Sequence, residues 1–69
     1  MNPTLLRQLW ALIENSQSSL LLALDDHSLV QWLLEQLSKQ RSLNRKETEC
    51  LSGYIQSRLS LIRDLAESR

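Results

Sequence analysis

The sequence predicts an all-α protein, a compact three-helix bundle with helices over about residues 3–22, 26–40 and 45–67. Leucine occurs 17 times in 69 residues, whereas valine and isoleucine together occur four times and phenylalanine is absent. Strands favour β-branched and aromatic side chains, while Leu, Gln, Glu, Arg and Ala favour helices. Proline and glycine occur once each, so few residues interrupt a helical chain. The length predicts one small domain over residues 1–69.

The first helix is predicted to begin at Pro3, which suits the first helical position after an Asn2 N-cap. Residues 15–19 are polar side chains that favour caps and turns. Leu20, Ala23 and Leu24 nevertheless stay in phase with the apolar face before them. We therefore expect one helix to about residue 22 with Leu22 pointing outward; the alternative is that it frays and restarts. That apolar face consists of Leu5, Leu6, Leu9, Trp10, Leu12 and Ile13.

The second helix is predicted to begin at Asp25 or Asp26, because acidic side chains are favoured at a helix N-terminus. We expect it to end near Gln40, with Trp32 at the edge of its apolar face. That face consists of Leu29, Val30, Leu33, Leu34 and Leu37.

The third helix is predicted to follow a capping box formed by Asn44 and Glu47. Its apolar arc spans about 180°, whereas a helix that packs on one side needs about 100°. Either this helix packs against both others, or one flank meets a second copy or another protein. The arc holds Cys50, Leu51, Tyr54, Ile55, Leu59, Leu61, Ile62, Leu65 and Ala66.

Arg58 falls inside this apolar arc, where an unpaired buried charge is costly. A short connection makes the second and third helices antiparallel, and that register places Arg58 level with Asp26 and beside Asp25. We expect Arg58 to pair with one of these acids as a structural clamp. The alternative is an arginine that binds a partner.

No residue pattern indicates an enzyme, a cofactor or a metal site. A Gly-rich phosphate loop is absent, and a His27–Cys50 pair has no supporting motif. We therefore predict a non-enzymatic protein–protein interaction or regulatory module that self-associates or binds another protein. The candidate partner-binding residues are Trp10, Trp32, Tyr54, Arg58 and Leu61.

The alternative function is nucleic-acid association through the connection over 39–46. This segment carries four basic side chains and no acid, although the whole chain has a formal charge of zero. Membrane spanning is not expected because no apolar run is long enough. A cytoplasmic location is expected, because the sequence shows no export signal and has one cysteine. The basic candidates are Lys39, Arg41, Arg45 and Lys46.

Three short stretches lie near the two ends of the chain. The opening stretch is Thr-Leu-Leu-Arg-Gln-Leu-Trp over 4–10, and the closing stretches are Tyr-Ile-Gln-Ser-Arg-Leu over 54–59 and Arg-Asp-Leu-Ala over 63–66. With these stretches, both ends of the chain resemble short uncharacterised helical proteins of cyanobacteria. The resemblance implies no activity, and no functional residue is transferred from it.

Overall fold

A computed structural model describes residues 3–68, of which 85% are helical and none is in a strand. The all-α prediction is confirmed, but the described range holds five helices where three were predicted. The predicted N-cap Asn2 lies outside the described residues. The helices are α1 (Pro3–Asn15), α2 (Ser18–Ala23), α3 (Asp26–Gln40), α4 (Arg45–Ser57) and α5 (Leu59–Glu67).

The first predicted helix is broken at Ser16 and Gln17, so the expectation of one helix to about residue 22 is wrong. The Ser16 Oγ donates to the Leu12 carbonyl at 2.7 Å, and the Ser16 N–H donates to the Ile13 carbonyl at 3.2 Å. Both bonds satisfy carbonyls that a continuing helix would otherwise pair. Gln17 is extended, with φ −69° and ψ 132°, and it turns the chain into α2.

This break changes which side chain of α2 enters the core. A continuous helix would bury Leu20, Ala23 and Leu24, but Leu21 is the fully buried residue and Ala23 is exposed. Leu22 points outward as predicted, with 39% of its surface exposed. The turn at Gln17 therefore rotates α2 relative to the apolar face of α1.

The third predicted helix is interrupted only at Arg58, which has φ −115° and ψ 10°. The Arg58 N–H donates to the Ile55 carbonyl, three residues back instead of four, at 3.0 Å. The Ile62 N–H then donates to the Arg58 carbonyl at 2.9 Å, which restores the α-helical spacing. The core-facing side is kept across the interruption, because Ile55 and Ile62 are both fully buried.

The predicted caps of α3 and α4 are confirmed. The Ser28 N–H donates to the Asp25 carboxylate at 2.8 Å at the start of α3. At the start of α4, the Glu47 N–H donates to Asn44 Oδ1 at 2.7 Å and the Asn44 N–H donates to Glu47 Oε1 at 3.1 Å. These bonds satisfy N–H groups that have no partner inside the helix.

The core is made by the apolar sides of all five helices, and no described polar side chain is buried in it. The α1 and α4 helices both pack against α3, while α2 packs against α5. Truncating a buried leucine of this kind to alanine lowers the unfolding free energy by about 2–5 kcal/mol. The core contacts are therefore a main source of the stability of the fold. The buried residues are Leu5, Leu9, Ile13, Leu21, Leu29, Val30, Leu33, Leu34, Leu37, Leu51, Ile55, Ile62 and Ala66.

The expected pairing of Arg58 with Asp26 or Asp25 is wrong, and Arg63 takes that place. The Arg63 Nη2 lies 2.8 Å from the Asp26 carboxylate and 2.9 Å from the Leu24 carbonyl. Its Nη1 donates to the Leu21 carbonyl at 3.3 Å. The expected register assumed one straight helix. In the structure α5 packs against α2 after the interruption. Arg63 therefore reaches the turn between α2 and α3.

Candidate interaction surface on α4 and α5

Two large apolar side chains remain exposed on one side of α5. Leu61 has 46% of its surface exposed and Leu65 has 38%. They are four residues apart, so they lie on the same side of the helix. Tyr54 and Arg58 precede them at intervals of four and three residues, which extends the same side back along α4. We call the side chains of Tyr54, Arg58, Leu61 and Leu65 the α4–α5 ridge.

Tyr54 is held in place by Trp10 of α1. The Trp10 indole N–H donates to the Tyr54 hydroxyl at 3.1 Å. The two rings meet edge to face, with centroids 6.4 Å apart and planes at 84°. Both side chains are half-buried and pack against the core. These contacts within the chain therefore hold Tyr54, the aromatic end of the ridge, in place.

Arg58 is the charged residue of the ridge, and its guanidinium lies over the Tyr54 ring. The guanidinium carbon is 5.2 Å from the ring centroid, a cation–π geometry. Its Nη1 donates to the Ser57 Oγ at 3.3 Å, and that hydroxyl donates to the Tyr54 carbonyl at 2.7 Å. No described carboxylate pairs with Arg58. The side chain is thus oriented but keeps donors free for another acceptor.

The structure joins three of the five predicted partner-binding residues by contacts, because Tyr54 touches both Trp10 and Arg58. Leu61, the fourth, follows Arg58 on the same side of the helix by its spacing. The fifth, Trp32, is half-buried against the core on α3 and makes no ring contact with the described aromatic residues. The structure also adds Leu65 to the exposed surface. Its position in the 180° arc was the signal in the sequence, because such an arc leaves one flank uncovered where no other helix packs on it.

Cys50 lies exposed on α4, one turn before Tyr54, and does not fill the core. His27 is exposed at the start of α3. Within the part of the chain that the structure describes, no three His, Cys, Asp or Glu side chains converge in a way that would hold a metal ion.

The predicted basic connection does not form a uniform cationic patch. The Arg41 Nη1 donates to Gln8 of α1 at 3.3 Å, and its Nε is buried without a hydrogen-bond partner. Arg45 pairs with Glu49 one turn later at 3.4 Å. Lys39 and Lys46 are exposed. Two of the four basic side chains are therefore engaged within the chain.

An open cavity of about 380 Å³ lies between the start of α3 and the interruption between α4 and α5. Its polar groups are the Asp26 carboxylate, the His27 imidazole and the Gln56 amide, above an apolar floor of Val30 and Leu59. The Asp26 carboxylate already pairs with Arg63 at 2.8 Å. One of the three polar side chains that line the cavity is therefore already paired within the chain.

No helix over residues 3–68 combines the length and the hydrophobicity that crossing a membrane requires. Comparison of the chain with protein-family models, curated proteins and solved structures gives no match.

Proposed function

We propose that this chain is a small, non-enzymatic protein–protein interaction or regulatory module of the cytoplasm that self-associates through the α4–α5 ridge. The observation that carries the proposal is the exposure of Leu61 and Leu65 on adjacent turns, beside the oriented Tyr54 and Arg58. Covering apolar surface of this kind stabilises a complex by roughly 25 cal/mol per Å².

The composition of the ridge supports protein binding over a solvated surface. Tyrosine, tryptophan and arginine are enriched among residues that dominate binding energy. The Trp10–Tyr54 hydrogen bond and the stacking of Arg58 already restrict these side chains. Binding therefore costs less side-chain entropy than it would for freely rotating groups.

We infer that α1–α2 and α4–α5 act as two interrupted arms of a three-helix bundle, with α3 as the third arm. In this arrangement the described residues cover Tyr54 in part but leave Leu61 and Leu65 among the exposed large apolar side chains. Small helical domains commonly gain stability through oligomerisation. A two-fold dimer is the simplest assembly that covers the ridge.

Sedimentation equilibrium at micromolar concentration tests the proposal. We expect a species near twice the 8.0 kDa chain mass. Leu61→Gln and Leu65→Gln should shift the equilibrium to monomer. Leu22→Gln is the matched control, because Leu22 is exposed to the same extent as Leu65 but lies on α2. A wild-type chain that stays monomeric, or a control that dissociates equally, would contradict the ridge as the docking surface.

A further inference from the structure

Half of the carboxylates in this chain are already engaged by groups of the same chain. Asp25 caps α3, Asp26 pairs with Arg63, Glu47 completes the capping box of α4, and Glu49 pairs with Arg45. Each of these side chains has a local structural task. They are therefore poor candidates for a contact outside the chain.

The other four carboxylates are exposed and form no ion pair with a described residue. They belong to Glu14, Glu35, Asp64 and Glu67. Among the described basic residues, Arg58 is the one that lies on the ridge, and it also has no carboxylate partner. The chain therefore carries an arginine and several carboxylates that could form an ion pair with each other but do not do so within one copy. In a two-fold interface the same surface supplies both sides of each contact, so a carboxylate of one copy can meet Arg58 of the other.

We propose that a second copy of this chain covers the ridge and places one of these four carboxylates on the Arg58 guanidinium. The inference rests on the proposed function, since it names the occupant of the same surface and the contact that fixes it. Each dimer then contains two equivalent pairs, one from each copy.

A carboxylate is needed at this position because a partner that covers Arg58 removes water from its charged guanidinium. Loss of water from an unpaired guanidinium is strongly unfavourable, whereas a carboxylate restores charge-assisted hydrogen bonds. Stacking on Tyr54 leaves the donor edges of the guanidinium open to an approaching acceptor. An apolar partner without an acid would leave those donors unsatisfied.

A charge-swap series tests this pairing by sedimentation equilibrium, with circular dichroism confirming that each variant is folded. Arg58→Glu places like charges opposite each other in both pairs and should weaken the dimer by about tenfold or more. Glu14→Lys, Glu35→Lys, Asp64→Lys and Glu67→Lys are prepared separately. We expect one of them to weaken the dimer likewise and to restore affinity to within about threefold when mixed with Arg58→Glu.

The mixture is diagnostic because its heterodimer makes both pairs attractive again, one with the original signs and one with the signs exchanged. Arg7→Glu is the matched control, since it changes the net charge equally at an exposed arginine of α1. If Arg58→Glu dimerises as well as the wild type, or no mixture restores affinity, the pairing is wrong while the proposed self-association stands. A monomeric wild type would overturn both.

Discussion

Arg63 performs the structural task that the sequence assigned to Arg58. Its side chain is 25% exposed, and its guanidinium binds two carbonyls at the end of α2 as well as the Asp26 carboxylate. Arg63→Met should therefore cost about 1–3 kcal/mol of unfolding free energy, because it leaves those groups without their donor. Urea denaturation measures this cost.

The coupling of Arg63 to Asp26 should be smaller, about 0.2–1 kcal/mol, because the Asp26 side chain is 75% exposed. A double-mutant cycle with Asp26→Asn gives this value. Arg58→Met is the control and should change stability by less than about 0.5 kcal/mol when measured on the monomer. A greater loss from Arg58→Met than from Arg63→Met would reverse the assignment.

The stabilisation that Asp25 gives to the start of α3 depends on pH. Hydrogen bonds from the Ser28 side chain, and then from its backbone N–H, hold the pKa of the Asp25 carboxyl below its ordinary value of 3.8. The unfolded chain therefore binds this proton more readily, so the stabilisation is present above pH 3.8 and is lost as the pH falls through the lower folded pKa.

The variant Asp25→Asn keeps a side-chain oxygen that can accept from Ser28 but has no charge to lose. We expect the stability difference between wild type and this variant to shrink as the pH falls below 3.8. Urea titrations across this acidic range measure the difference. A gap that stays constant would show that the charge of Asp25 does not stabilise the cap.

The α4 helix contains the single glycine of the chain, and this residue has no packing reason to be glycine. Apart from its own helix backbone and its chain neighbours, no atom lies within 4 Å of the place where a Gly53 Cβ would stand. Gly53→Ala should therefore raise the unfolding free energy by about 0.5–1 kcal/mol. Thermal and urea unfolding measure the gain. Gly53→Pro should instead lose about 3 kcal/mol, and a destabilising alanine would contradict the described packing of α4.

The helix starts were predictable because caps depend on residues three positions apart. Asn44 with Glu47 and Asp25 before α3 carry that information locally. The helix interruptions were not predictable from the helical spacing of the apolar residues. Core-facing spacing continues through Arg58 although the hydrogen-bond pattern changes there. Polar residues at 15–19 indicated a break, but Leu20 and Leu24 kept a phase that favoured continuity.

Contacts between distant elements were the least predictable part of the site. The Arg63–Asp26 pair depends on how α5 packs against α2, and a straight-helix register shifts that contact to Arg58. The Trp10–Tyr54 contact joins residues 44 positions apart, which no local spacing specifies. By contrast, the wide apolar arc of the third predicted helix was visible in the sequence, and Tyr54, Leu61 and Leu65 all belong to it.

At the scale of the whole molecule, the charge balance bears on the alternative function, nucleic-acid association. The formal charge is zero, and two of the four side chains in the basic connection, Arg41 and Arg45, are engaged within the chain. We expect no retention on immobilised mixed-sequence DNA or RNA at low salt. Retention that falls with salt, and that weakens when Lys39 and Lys46 are changed to Gln, would support the alternative function.

The α4–α5 ridge is the central claim, and a dilution series followed by amide NMR tests it most directly. We expect the amide signals of Tyr54, Arg58, Leu61 and Leu65 to shift together as the protein is diluted from millimolar to low micromolar concentration. Signals from the exposed side of α3, such as Gln31, should stay in place. Shifts confined to α3, or no shift with dilution anywhere, would contradict self-association through the ridge.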